Sequence, residues 1–218
     1  MNNHEAGQEE VKTKKLYQWE FVHLGFGENH TPQSITDFFK KFIPDFKGNV
    51  ERASELISRM KKAEDWVVEH SSPIGAKAFK NSPPHIGVVT RWPADDDFAA
   101  LAEPESNMIG YRQVELEILS EIDPNATVTL VDSSNEPVFI GTTGRIAELT
   151  AVEETRHIYF AQNINPSEGY KRGTTREHDS EPIEIDGLEW QIKYAEAHSF
   201  PKEEVDVLRT RLQIAKSD

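Results

Sequence analysis

Residues 113–163 read QVELEILSEIDPNATVTLVDSSNEPVFIGTTGRIAELTAVEETRHIYFAQN, and the choice of strand or helix for each piece decides the fold. Thr127, Val128, Thr129, Leu130 and Val131 are mostly β-branched and suit a pleated, half-buried surface. Turn formers follow from Asp132 to Pro137, and Pro137 cannot donate to a ladder. Val138, Phe139 and Ile140 then read as the returning strand of a hairpin. Gly141 and Gly144 bracket two threonines and read as a bend. Arg156, Ile158 and Phe160 alternate with His157, Tyr159 and Ala161, which is the period of a third strand. Residues 113–122 fit either period: Val114, Leu116 and Ile118 alternate, while Val114, Ile118 and Ile122 recur at helical spacing. The stop signal Asp123-Pro124-Asn125 favours a short helix.

Three pieces of this stretch, Ile118-Leu119-Ser120-Glu121-Ile122-Asp123-Pro124-Asn125, Thr127-Val128-Thr129-Leu130-Val131-Asp132 and Glu136-Pro137-Val138-Phe139-Ile140-Gly141, follow one another in an order that resembles a small generic α/β module of bacteriophage and mobile-element proteins. The resemblance covers about a quarter of the chain. It implies an origin and carries over no catalytic residue.

Outward from the stretch, residues 1–15 are polar and aperiodic and read as a disordered tail. Tyr17, Trp19, Phe21 and His23 alternate with polar and aliphatic residues and read as a strand with one aromatic face. Thr31-Pro32 opens a helix, with Ile35, Phe38, Phe39, Phe42 and Ile43 as its apolar stripe; the three phenylalanines read as core. Asn49 caps a second helix, with Ala53, Leu56, Ile57, Met60 and Val67 on one face, and the two helices form a hairpin. Residues 86–92 (IGVVTRW) read as a short strand. Asp95, Asp96 and Asp97 precede Phe98, Ala99, Ala100 and Leu101, and suit the first turn of a helix. Residues 165–182 form a long polar loop. Asp186-Gly187 between PIEI and LEWQIKYA predicts a β-hairpin with a primed turn. Phe200-Pro201 opens a C-terminal helix with Val205, Leu208, Leu212 and Ala215 inward.

The expected fold is therefore α+β: an antiparallel sheet of roughly six strands with an N-terminal helical hairpin and a C-terminal helix. Its parts are the tail 1–15, a strand plus helical hairpin over 16–80, and a mostly β region with an acidic surface over 81–218, either separate from 16–80 or continuous with it.

The net charge is −14. Residues 92–155 hold fourteen acidic residues against Arg112 and Arg145, a net of −12. That sign disfavours direct binding to duplex nucleic acid and suits a protein partner with a basic surface. There is no cysteine, which excludes disulfides, thiolate catalysis and cysteine-ligated metal clusters. No apolar run reaches the length of a membrane span, and MNNHEAGQEE has no signal-peptide core. A cytoplasmic protein is expected.

Catalytic motifs are absent: no P-loop, nucleophile elbow, HExxH or kinase signature. Glu153 and His157 stand four apart, the spacing of one helix face, but the strand reading of this stretch separates them, so no metal site is expected there. In the 165–182 loop, Glu177 and Asp179 flank His178. Asp186 followed by Gln191-Ile192-Lys193 faintly echoes a metal-nuclease pattern. The leading expectation is a non-enzymatic acidic binding protein of phage or mobile-element type. It would engage a basic, nucleic-acid-handling host protein as an inhibitor or nucleic-acid mimic, through Asp95, Asp96, Asp97, Glu103, Glu105, Glu115, Glu117 and Glu121. No cofactor, metal or catalytic residue is assigned. The alternatives are a metal-dependent nuclease or hydrolase using Asp186, Lys193 and the 165–182 loop, and a structural or assembly subunit.

Overall fold

Proline at a first helical position and asparagine at a cap mark the first two helices, and both signals hold in the fold. The fold is that of a computed structural model, which describes residues 20–23, 32–71, 85–91, 100–103, 107–131, 135–164 and 182–217. Helix α1 spans Pro32–Phe42 and α2 spans Val50–His70. Asn49 accepts the Arg52 N–H at 3.0 Å, satisfying one of the orphan donors of the α2 terminus. Ile35, Phe39 and Ile43 are buried, while Phe42, expected in the core, is 49% exposed.

The expected six-stranded antiparallel sheet does not form. Most of the described residues are helical, and the strands divide into two small sheets. The larger is mixed, in the order β1–β2–β4–β3: β1 Glu20–His23, β2 His85–Arg91, β3 Ala100–Glu103 and β4 Met108–Arg112. Its central pair, β2 and β4, is parallel, with Ile86 opposite Ile109 and Val88 opposite Tyr111. Ile86, Gly87, Val88 and Val89 are all buried, as are Met108 to Tyr111. Such unbroken apolar runs belong to a strand covered on both faces. Ala100 and Leu101, expected to begin a helix, lie in β3, whose partner across the ladder is β4.

The second sheet is the expected hairpin alone, β5 Thr127–Val131 with β6 Pro137–Thr142. Helix α3, Gln113–Glu121, precedes it. Its end is fixed by the Asp123 side chain, which accepts the Asn125 N–H at 2.9 Å. Ser120 Oγ accepts the Asn49 N–H at 3.0 Å and so ties α3 to the start of α2.

Two expected β segments are helices. The stretch from Gly141 through Ala161, read as a bend and a third strand, forms β6 and α4, Thr143–Tyr159, followed by one π-helical turn, Phe160–Ile164. Thr142 Oγ1 accepts the Arg145 N–H, so Thr142 is the cap and Thr143 the first helical residue. The expected Asp186-Gly187 hairpin is α5, Pro182–Ala197, with proline at its first position. The buried set Glu184, Gly187, Leu188, Gln191, Tyr194 and Ala195 recurs at helical spacing. Helix α6, Lys202–Ala215, follows, with Val205, Leu208 and Ala215 buried. One contiguous core joins α1 and α2 to β2, β4, α4 and α6 through Phe39, Met60, Val88, Ile109, Ile158 and Leu208. Helix α4 lies at the centre, packed most extensively on α2 and α5. No helix among the described residues is long and apolar enough to cross a membrane. The tail, the expected 81–84 boundary and the 165–181 loop lie outside the described residues.

Candidate metal centre

Helix α4 is buried on nearly every side, so its polar residues must find partners inside the protein. Glu153 and His157 share one face, four residues apart. Across from them, α5 presents Glu184. One donor atom from each of Glu153, His157 and Glu184 lies within 4.8 Å of the others. His157 is 2% and Glu184 4% exposed; Glu153 stands at the more open edge.

The imidazole is held from both sides. His157 Nε2 is 3.3 Å from Glu184 Oε2, and Nδ1 is 3.6 Å from Glu154 Oε2. A carboxylate stands at each ring nitrogen, so a protonated imidazole would face Glu184 and Glu154, and an ion bound at Nε2 would take the place of the proton facing Glu184. Glu153 is oriented as well. Gln191, fully buried, donates through Nε2 to Glu153 Oε2 at 3.0 Å and to the Leu149 carbonyl oxygen at 3.1 Å. Beside the cluster, Arg156 clamps the two helices. Its Nε and Nη2 donate to the Asp186 carboxylate at 2.8 and 2.9 Å, and Nη1 donates to Ser71 Oγ at 2.8 Å. The guanidinium lies 4.2 Å from each of the Tyr159 and Trp190 ring centroids.

Three carboxylates surround one imidazole, and the Arg211 guanidinium offsets part of their charge. Burial, reinforced by the neighbouring Glu184, pushes the Glu153 carboxyl up to about 7. Burial alone would lower the His157 imidazole, but Glu184 and Glu154 outweigh it and hold the pKa well above the ordinary histidine value. The cluster therefore retains protons or takes up a cation. Two carboxylate oxygens and one imidazole nitrogen suit zinc, manganese or iron(II) better than calcium or copper(I). Donors about 2.1 Å from a tetrahedral ion stand about 3.4 Å apart, so side-chain adjustments of roughly 1 Å would close the observed spread around one ion.

Of the residues expected to engage a basic partner, the described ones on α3, Glu115, Glu117 and Glu121, do not enter this site. Asp95, Asp96, Asp97 and Glu105 lie outside the described residues, and Glu103 is in β3. Glu115 faces Arg112 at 3.8 Å. Glu117 accepts the Lys47 N–H at 3.0 Å and Gln113 Nε2 at 2.7 Å. Glu121 is exposed at the end of α3. Of the nuclease candidates, Asp186 is occupied by Arg156, and Lys193 Nζ lies 4.6 Å from the Trp190 ring. A surface cavity of about 360 Å³ runs along the last turns of α6, lined by Arg209, Leu212, Gln213, Lys216 and Ser217, and touches none of the cluster. Against protein-family models, curated proteins and solved structures, the chain finds no match.

Proposed function

We propose that this chain is a metal-binding protein in which Glu153, His157 and Glu184 hold one divalent transition-metal ion of the zinc, manganese or iron(II) class and pin α4 against α5. The observation that carries the reading is the meeting of these three donors, within 4.8 Å of one another, in the protein interior. Two supports stand beside it. Gln191 orients Glu153 through a 3.0 Å hydrogen bond, as outer residues of metal sites do, and Glu154 stands 3.6 Å from His157 Nδ1. The ion's charge would also neutralise carboxylates whose burial together is otherwise costly.

Calorimetric titration of chelator-treated protein with zinc(II), and separately with manganese(II), tests this. One saturable site per chain is expected in the wild type. His157→Gln and Glu184→Gln should each weaken it on the order of 100-fold or more, with circular dichroism confirming that the variants fold. Absence of saturable binding in the wild type, or wild-type affinity in both variants, would refute it.

A further inference from the structure

Strand β5 reads Thr127-Val128-Thr129-Leu130-Val131, and every residue but Val128 is exposed. Leu130 is 38% and Val131 49% exposed. Among the described residues, β5 has β6 on one side and no strand on the other. Its partner β6 is better covered: α6 packs against it, and Arg211 Nη1 donates to the Val138 carbonyl oxygen at 3.4 Å. An exposed edge strand invites pairing with another chain, and proteins guard such edges with lysine, proline or bulges. β5 holds no charge and no proline, and its one irregularity of register falls at its last step, between Leu130 and Val131.

Charge selects the occupant. Exposed carboxylates stand at both ends of the strand, Glu121 and Asp123 before it and Glu136 beside its far end, where Val131 lies opposite Pro137. A second copy pairing antiparallel with β5 would bring Glu121 and Asp123 of one chain towards Glu136 of the other. Like charge would then face like, between chains that each carry −14. We infer that the open edge of β5 takes an extended segment of a partner protein in which β-branched residues alternate with lysine or arginine. The segment adds a strand through main-chain hydrogen bonds. Its apolar side chains lie along Val128 and Leu130, which share one face, and its cations meet Glu121, Asp123 and Glu136. None of these residues belongs to the metal cluster.

Titration of the full ¹⁵N-labelled chain with an end-blocked octapeptide of alternating lysine and valine tests this by NMR. Saturable shifts, largest at the amides of residues 127–131, are expected. The same peptide methylated at every backbone nitrogen keeps its charge but loses its ladder donors, and should bind at least about tenfold more weakly. Leu130→Lys places a cation on the exposed edge and should weaken binding at least about fivefold. The double variant Glu121→Gln/Glu136→Gln should weaken it severalfold and flatten its dependence on salt. Shifts centred away from β5, or equal binding of the methylated peptide, would overturn strand pairing. Wild-type affinity in both variants would overturn the site and its charge selection. A wild-type dimer in sedimentation that Leu130→Lys dissolves would give the edge to a second copy and overturn the basic partner. If Leu130→Lys fails to fold, the double variant and the methylated peptide decide.

Discussion

Glu64, fully buried in α2, shows what one carboxylate can do to the pH dependence of the whole fold. Burial pushes its carboxyl up from 4.5 to about 7, against the opposing pull of Lys61, whose Nζ lies 2.9 Å from Oε1. A folded-state pKa raised above the unfolded one means that stability is fully present below about pH 4.5 and is lost as pH rises through about 7. A shift of this size corresponds to on the order of 3 kcal/mol. Urea unfolding with chelator present should therefore give a higher midpoint at pH 5 than at pH 8. Glu64→Gln should reduce that difference by an amount of this order. An unchanged difference in the variant would show that Glu64 ionises freely in the folded protein.

Helix α5 shows at the element scale why part of the fold was legible in the sequence and part was not. Helices α1 and α2 announce themselves because Ile35, Phe39 and Ile43, and Leu56, Ile57 and Met60, are apolar residues at helical spacing. The β5–β6 hairpin does so through β-branched runs on either side of a turn. In α5 the buried stripe includes Glu184, Gly187 and Gln191, so a hydropathy pattern misses it. The remaining apolar residues, Leu188, Trp190, Ile192 and Tyr194, alternate by accident of spacing. The residues that disguise the helix are the ones that build the candidate centre. The same disguise covers α4, where Glu154, Arg156 and His157 are buried beside Ile146, Leu149, Val152 and Ile158. The four-residue spacing of Glu153 and His157 was visible; the helix that gives it meaning was not.

The end of α5 supplies a prediction of its own. Ser199 adopts a left-handed backbone with φ 55°. The Phe200 N–H donates to the Ala195 carbonyl oxygen at 2.9 Å, and the Ser199 N–H donates to that of Glu196 at 3.1 Å, closing a Schellman motif. A side chain in this conformation is strained by roughly 1 kcal/mol. Ser199→Gly should raise the thermal midpoint by about 2–4 °C, and a lowered midpoint in differential scanning calorimetry would contradict that geometry.

At the scale of the whole molecule, at least five of the fourteen acidic residues in 92–155 make contacts within the fold. Glu148 pairs with Arg59 at 3.0 Å, Glu115 and Glu117 bind neighbours on and beside α3, and Glu153 and Glu154 enter the cluster between α4 and α5. A charge count along the chain could not distinguish a carboxylate facing water from one facing another helix. Glu153 and Glu154 are of the second kind, because they face α5 and the interior around α4 rather than water. The decisive measurement is anomalous diffraction, at the zinc absorption edge, from crystals grown with stoichiometric zinc(II). A single strong peak flanked by Glu153, His157 and Glu184 is the expected result. Density there that shows only side chains, or zinc scattered over surface carboxylates and exposed histidines, would contradict the metal centre.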